Sequence, residues 1–232
     1  MVIAIDGPAG AGKSSVARAL AAELGFTYLD SAAMYRSVAY TCLDWGADPT
    51  MPGEATSTAE SIEIDFDGEQ VLIDGVDVPD EIRSPEVTAA ASRVSVHPGV
   101  REAMVTEQRC LSSAGRYVAE GRDIGTVVSP DSPLKVFLTA SEEVRAERRA
   151  GQTGGDAAEI LLSQRERDRR DTEREHGALK AADELRGHHI GAEVVVDGAD
   201  ELIEKRETDG QDSDDDQRGG EEEQRGATEH GK

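Results

Sequence analysis

The sequence has few aromatic residues, few cysteines and no long apolar run. Aromatic residues make up 3% of the 232 positions. The two cysteines, Cys42 and Cys110, are too few for a disulfide framework, so the expected location is a reducing cytoplasm. No apolar run approaches the roughly 18 to 20 residues that cross a bilayer. The first residues carry no basic segment and no cleavage pattern, which predicts that there is no signal peptide.

Positive charge is also scarce. The chain holds 48 acidic and 25 basic residues, a net charge of −23, which argues against a general nucleic-acid binder. Residues 207–232 contain ten acids, three bases and a single alanine as their only aliphatic residue, so this tail is predicted to be disordered. Residues 1–206 are long enough for one compact domain with a sizeable core.

Short apolar runs alternate with helical patterns along the domain, which predicts an α/β fold with a parallel sheet and helices on both faces. In the helix predicted after the first strand, Val16, Leu20 and Leu24 lie one turn apart, as on an apolar helix face. The predicted strands are Val2–Ile5, Phe26–Leu29, Tyr117–Glu120, Leu134–Leu138 and Val194–Val196. The predicted helices are Ser14–Leu24, Ala32–Trp45, Glu86–Ser113 with an interruption near His97–Gly99, Val144–Arg149 and Ala157–Arg174.

The segment at about 50–85 has a different pattern. Ser61–Phe66 alternates with period two, and turn signals separate it from Gln70–Ile73 and Val76–Val78. A small antiparallel insert is therefore predicted here. Farther along the chain, Gly151–Asp156 is predicted to be a flexible break between two helices.

A glycine-rich turn between the first strand and the first helix matches the pattern G-x-x-x-x-G-K-[ST]. Its glycines let several backbone N–H groups point at one anion, and the helix that follows presents the positive end of its dipole. Lys13 would contact the β- and γ-phosphates of ATP, and the Ser14 hydroxyl would bind the accompanying Mg²⁺. The predicted ATP-binding residues are Gly7, Pro8, Ala9, Gly10, Ala11, Gly12, Lys13, Ser14 and Ser15.

Three further segments each allow two interpretations. Asp30–Arg36 is either a capped helix with a surface arginine or part of a binding site. The Arg-Asp pair within Glu120–Val128 follows a predicted strand. It is either part of a ligand site, since ligands bind at the carboxyl ends of strands in α/β sheets, or a surface ion pair in a turn. Arg165–Arg174 holds five arginines and is either a salt-bridged helix face or a clamp for phosphates. Beside a phosphate-binding loop, we favour the clamp.

Together these segments resemble bacterial cytidylate (CMP) kinases, a family of P-loop nucleoside-monophosphate kinases. The resemblance covers most of residues 2 to about 180, and it implies a three-layer P-loop fold with a mobile lid at about 145–165. It also implies that the insert at 50–85 binds the monophosphate. The motifs that carry it are IDGPAGAGKSS, LDSAAMYR, EIRSPEVTAAASRVSVHPGVRE, AEGRDIGTVVSPDSPLKVFLTAS and RERDRRDTERE.

The resemblance also implies roles for single residues. Ser92, Arg101 and Asp123 would contact the cytosine edge, whereas Arg36 and Arg122 would hold the acceptor phosphate. Asp171 would bind the ribose hydroxyls with Arg167 and Arg174 alongside, and Arg148 and Arg149 would begin the lid. The implied acceptor-binding set is Ser31, Arg36, Ser92, Arg101, Arg122, Asp123, Arg167, Asp171 and Arg174. The implied catalytic set is Lys13, Arg122, Arg167 and Asp171.

The sequence departs from the family pattern at several positions. Ala32 stands where the family usually has glycine, which would weaken acceptor binding if that position needs a positive φ or a close approach of the ligand. Gly177-Ala178-Leu179 replaces the usual Ala-Pro-Leu, and the lid looks shorter than usual. His188 and His189 have no evident ligand partner and are predicted to lie in a loop rather than a metal site.

The resemblance implies an enzyme that converts ATP and CMP to ADP and CDP, with dCMP as a second acceptor. We expect a monomer with no nucleic-acid or membrane partner. Three alternatives remain. One is another P-loop small-molecule kinase, acting on UMP or a shikimate-like acceptor, and a second is a nucleotide-binding protein without catalysis. A third is an interaction protein that works through its acidic tail.

Overall fold

A computed structural model describes residues 1–67, 70–78, 81–173, 177–181 and 190–195. The strands among these residues are β1 Val2–Asp6, β2 Thr27–Asp30, β3 Ile64–Asp67, β4 Gln70–Ile73, β5 Val76–Asp77, β6 Tyr117–Gly121, β7 Leu134–Thr139 and β8 Ile190–Val195. The helices are α1 Lys13–Leu24, α2 Ser31–Trp45, α3 Pro52–Ser61, α4 Pro85–Val94, α5 Pro98–Ser113, α6 Glu142–Thr153 and α7 Ala157–Glu173. A wide π-helical turn spans Ile124–Val128.

The central sheet has the strand order β2-β6-β1-β7-β8, and all its neighbouring strands are parallel. Asp6 of β1 pairs with Gly121 of β6, and Asp30 of β2 pairs with Glu120. The carboxyl ends of these strands therefore meet at one edge of the sheet, which is where ligands bind in open α/β folds. The predicted α/β fold with a central parallel sheet is confirmed.

Helix α1 packs against the sheet mainly through two alanines, with Leu20 partly buried beside them. Ala17 and Ala21 are buried beside β1 and β6, whereas Val16 and Leu24 are 38% and 44% exposed. The predicted apolar face was therefore displaced by about one residue. Small side chains let the helix lie close to the sheet, so the buried face here is set by size as well as hydrophobicity.

The insert forms the predicted antiparallel sheet, β3-β4-β5. Its start was predicted wrongly, because Ser61 ends helix α3 and the strand begins at Ile64. Pro52 at the first turn of α3 favours a helix start. Helix α3 buries Ala55 and Ala59 in the same core that holds Met34 of α2 and Met104 of α5, so the insert is packed onto the domain.

Helices α6 and α7 cover residues 145–165, the segment predicted to be a lid. The break between them is shorter than expected, because α6 continues to Thr153 and ends at Gly154, whose φ is 71°. Within the described residues, no helix is long and apolar enough to cross a membrane. Arg174, His188, His189, Val196 and the tail 207–232 lie outside the described residues.

Candidate active site

The phosphate-binding loop connects the end of β1 to the start of α1. Gly7 is required there, because a Cβ at this position would lie 1.9 Å from the Leu138 carbonyl oxygen of β7. Helix α1 begins at Lys13, and the N–H groups of its first turn cannot be satisfied by α1 itself. Ser14 and Ser15 are exposed at this helix start. The loop therefore provides the backbone donors and the helix terminus that favour phosphate binding.

The Lys13 side chain is buried among other charged groups. Its ammonium donates to the Pro8 carbonyl oxygen at 2.8 Å. Burial, together with the positive charges of Arg122 and then Arg167, lowers the pKa of Lys13 to about 7, and Glu120 and Asp6 oppose this shift. Because two arginines lie beside this buried lysine, the binding of a further anion such as a phosphate would stabilise its charged form.

The residues around Lys13 fit an Mg²⁺ ion that arrives with the nucleotide. The Ser14 hydroxyl stands at the helix start, and the Glu120 carboxylate is close enough to raise the pKa of Lys13. In the described parts of the chain, no group of three or more His, Cys, Asp and Glu residues could hold a metal alone. Mg²⁺ commonly binds through one or two protein ligands plus substrate phosphates, which this arrangement allows.

A buried ion pair joins two of the predicted base-contacting residues. Arg101 of α5 donates to the Asp123 carboxylate, and the side chains are only 5% and 9% exposed. Arg101 also donates to the Tyr35 hydroxyl of α2 at 3.3 Å. The structure thus places together two residues that lie 22 positions apart in the sequence.

The predicted phosphate- and ribose-contacting residues are also paired. Arg122 donates to the Asp171 carboxylate of α7 at 2.9 Å, and Arg36 donates to Asp30 at the same distance. Burial and the nearby positive charge of Arg122 lower the pKa of Arg167 to about 10, while Asp171 opposes the shift. Arg36, Arg122, Arg167 and Lys13 therefore belong to one positively charged cluster.

The two predicted serines bind groups of the protein. The Ser31 hydroxyl donates to the Glu120 carbonyl oxygen at 2.6 Å. The Ser92 hydroxyl of α4 accepts from Arg170 of α7 at 3.1 Å. Arg170 belongs to the five-arginine segment, but its position in the sequence does not predict a contact with Ser92, which lies 78 residues earlier.

The two substitutions relative to the family pattern have different consequences. Ala32 lies inside α2, and the only non-glycine residue with positive φ among the described residues is Asp74. The concern that Ala32 needs a glycine-like backbone is therefore removed. Gly177, in contrast, has a φ of 67°, and a Cβ there would lie 2.0 Å from both Arg101 Nη2 and Asp123 Oδ2. The segment after α7 thus packs directly on the Arg101–Asp123 pair.

The sequence reasoning missed three other charged residues of this region. Asp6 accepts two backbone N–H groups beyond β6, and Glu120 accepts from the Tyr28 hydroxyl. Arg145 of α6 donates to the Ala9 carbonyl oxygen at 3.0 Å and to Asp168 of α7 at 2.7 Å. Arg148 and Arg149 lie on α6 as expected, with Arg149 exposed and donating to Gln152 at 3.5 Å.

Comparison with known proteins places this site in a family. The family model described as cytidylate kinase matches residues 3–203. The chain belongs to the cytidylate kinase family. A cytidylate kinase of Rhodococcus opacus is 49% identical over 194 residues, covering 79% of this chain and 85% of the relative. One from Pelotomaculum thermopropionicum is 48% identical over 190 residues, with 78% and 84% covered.

Some relatives of the cytidylate kinase family are longer proteins. A bifunctional pantoate ligase/cytidylate kinase of a Synechococcus strain is 45% identical over 210 residues, which is 84% of this chain but 43% of the relative. The chain thus spans less than half the length of that relative. The match to the cytidylate kinase model includes the phosphate-binding loop, the Arg122–Asp123 segment and α7, and it ends before the acidic tail.

Proposed function

We propose that the chain transfers the γ-phosphoryl group of ATP to CMP, giving ADP and CDP, and that it also accepts dCMP, giving dCDP. The observation that carries this proposal is the convergence of Lys13, from the phosphate-binding loop, with Arg122 and Arg167. Burial and then the positive charges of the two arginines lower the pKa of Lys13, so bound anions would stabilise the three neighbouring cations. Two phosphate-bearing substrates would supply those anions.

The chemistry needs positioned positive charge more than it needs a base. The attacking oxygen belongs to a phosphate that is already ionised at neutral pH, so no general base is required. The barrier comes from repulsion between two anions, which Lys13, Arg122 and Arg167 would offset in the transition state. Mg²⁺ bound with ATP, with Ser14 as its protein ligand, would supply further positive charge at the β- and γ-phosphates.

The Arg101–Asp123 pair supports cytosine as the base of the acceptor. Cytosine presents an amino donor at N4, which a carboxylate accepts, and acceptors at N3 and O2, which a guanidinium donates to. Uracil presents an acceptor at its corresponding position 4, so it would face the Asp123 carboxylate unfavourably. A shikimate-like acceptor has no base for this buried pair to contact.

The remaining roles follow the family pattern. Arg36 and Arg122 would bind the acceptor phosphate, and Asp171 with Arg167 and Arg174 would bind the ribose. Ser31 and Ser92 would complete the acceptor site, with the insert at 50–85 as its wall and 145–165 as the lid. We further propose that the protein acts as a cytoplasmic monomer in pyrimidine nucleotide metabolism, with no nucleic-acid or membrane partner.

A coupled ADP-release assay across CMP, dCMP, UMP, AMP and shikimate tests this function. We expect CMP to give the highest kcat/KM, dCMP to follow, and UMP to be about 5- to 150-fold poorer, since one mispaired buried polar group costs about 1–3 kcal/mol. A preference for UMP or shikimate would replace the proposal by a different kinase. Binding of ATP and CMP in calorimetry without ADP release would indicate a protein without catalysis.

A further inference from the structure

The Asp6 carboxylate links the two halves of the site. Asp6 is the last residue of β1 and directly precedes Gly7 of the phosphate-binding loop. It is only 5% exposed. Its Oδ1 accepts from the Ile124 N–H and its Oδ2 from the Gly125 N–H, each at 2.8 Å.

These two amides lie immediately after the acceptor-side residues Arg122 and Asp123. The β1–β6 ladder ends where Asp6 pairs with Gly121, and beyond that point the chain leaves the sheet and enters the wide turn Ile124–Val128. The sheet therefore no longer fixes the segment that carries Arg122 and Asp123. The Asp6 side chain holds the following two amides from one residue before the phosphate-binding loop, and the ion pairs Arg101–Asp123 and Arg122–Asp171 hold the segment from α5 and α7.

A carboxylate is the side chain that this geometry needs. Two N–H donors face two oxygens, and an asparagine of the same shape would turn its NH₂ group toward one of those donors. Burial is the largest influence on this carboxyl group and raises the pKa of Asp6 to about 6, whereas the two hydrogen bonds from the backbone amides lower it. Burying a charge is unfavourable unless it is hydrogen-bonded, which indicates that these two bonds have a specific use.

We propose that Asp6 is a positioning residue that fixes the Arg122–Asp123 segment relative to the phosphate-binding loop and thereby sets the approach of the acceptor phosphate to ATP. This inference rests on the proposed kinase function. It predicts that loss of the link lowers the rate of transfer more than the binding of either nucleotide, because a shift of about 1 Å can reduce a rate about 100-fold.

The test compares two variants with a control. Asp6→Asn should lower kcat about 10- to 100-fold while the Kd values of ATP and CMP change by less than about threefold. The second variant, Gly125→Ala, keeps the Asp6 carboxylate and both N–H donors. Its Cβ would lie 3.3 Å from Asp6 Oδ2 and 3.2 Å from Lys135 Cδ, which is close enough to displace the carboxylate. We expect this variant to lower kcat severalfold. Asp48→Asn should leave kcat unchanged, because a single oxygen of this exposed acid accepts both bonds from Thr50.

The outcomes separate the inference from the proposed function. Activity is normalised to ATP-binding sites, so partial unfolding cannot imitate a loss of kcat. A folded Asp6→Asn variant with kcat within twofold of the wild type would overturn the inference, as would a loss of binding equal to the loss of kcat. If Asp6→Asn does not fold, unchanged kcat in Gly125→Ala overturns it. If the wild type does not phosphorylate CMP, the proposed function is refuted, and the variants are then assayed with whichever acceptor the wild type does phosphorylate. If the wild type phosphorylates no acceptor, both the proposed function and the role of Asp6 are refuted.

Discussion

The donor and acceptor sides of the site are built in opposite ways. The phosphate-binding loop comes from one continuous segment, Gly7–Ser14, and it offers backbone N–H groups at the start of α1 that the helix cannot satisfy. The acceptor side comes from α2, α4, α5, α7 and the segment after β6. Its charged groups bind one another, as in the pairs Arg101–Asp123 and Arg122–Asp171.

This difference has a consequence for selectivity. Among the described residues, Lys13 donates a single hydrogen bond, to the Pro8 carbonyl oxygen, so an anion on the donor side has little to displace there. An acceptor must replace bonds that the protein already makes. A nucleotide that breaks these bonds without replacing them leaves buried polar groups unpaired, which is the arrangement that gives strong discrimination.

The largest predicted effect is on the donor side, at Lys13. Lys13→Met should lower kcat/KM on the order of 10³-fold or more, because the site loses the cation at the β- and γ-phosphates. Arg116→Ala, which removes an exposed cation at the other end of β6, should leave kcat/KM unchanged. Steady-state kinetics with CMP and ATP make the measurement, and near-normal turnover by Lys13→Met would refute the role of the loop.

The same Lys13→Met variant should be more stable than the wild type. The pKa of Lys13 is lowered to about 7 in the folded protein, so keeping this side chain charged at neutral pH lowers the free energy of unfolding. This loss of stability is greatest below pH 7 and becomes smaller as the pH rises toward about 10.4, the pKa of a lysine in the unfolded chain. Thermal unfolding at pH 6.5 and pH 9.5 should therefore show a larger gain in Tm at the lower pH. A lower Tm in the variant would show that Lys13 stabilises the fold.

On the acceptor side, the largest effect is expected for Arg122. Arg122→Ala should lower kcat/KM about 100- to 1000-fold, since a cation near the transferring group is lost. Asp171→Asn breaks the same ion pair but leaves the Arg122 charge in place, so kcat should fall less in this variant than in Arg122→Ala. Equal losses of kcat in the two variants would mean that the pair, rather than the arginine charge, matters for catalysis.

A smaller effect is expected where the chain after α7 packs on the base-contacting pair. Gly177→Ala should raise the KM for CMP about 5- to 20-fold and leave the KM for ATP unchanged, because both the positive φ and the contact with Arg101 and Asp123 exclude a Cβ. Gly46→Ala is the matched control, since Gly46 has a φ of 72° but nothing within 4 Å of an added Cβ. If both variants behave alike, the contact with the pair is unimportant for CMP binding.

The smallest effect is expected for the acidic tail. Deletion of residues 207–232 should change kcat/KM by less than about twofold, because the family match ends at residue 203. The deletion should instead reduce solubility at neutral pH, because it removes ten acids and three bases and so lowers the net negative charge that limits association. A large loss of activity would assign the tail a part in the kinase reaction.

The donor side could be predicted from the sequence because its mechanism is encoded in eight adjacent residues between a strand and a helix. The acceptor residues could be named only from the resemblance to the family. Ser92, Arg101 and Asp171 lie on three different helices, and no spacing rule shows that Arg170 reaches Ser92 across 78 positions. The ion pairs of the acceptor side depend on tertiary packing, which periodicity does not describe.

The errors in the predicted fold also have physical causes. The alternation at Ser61–Phe66 suggested a strand, but the last turn of α3 includes Ser61 because Ala55 and Ala59 bury a helical face in the core. The buried face of α1 was misplaced because alanines, rather than Val16 and Leu24, face the sheet. Asp6 was overlooked since its partners, Ile124 and Gly125, are 118 and 119 residues away.

The most direct test of the account follows the phosphoryl group itself. Incubation of the wild-type chain with γ-labelled ATP, Mg²⁺ and CMP, followed by separation of the products, reports where the label goes. The account predicts that the label appears in CDP, with little in inorganic phosphate, and that Lys13→Met transfers it on the order of 10³-fold more slowly. Label that appears only in inorganic phosphate, or no consumption of ATP, would contradict it.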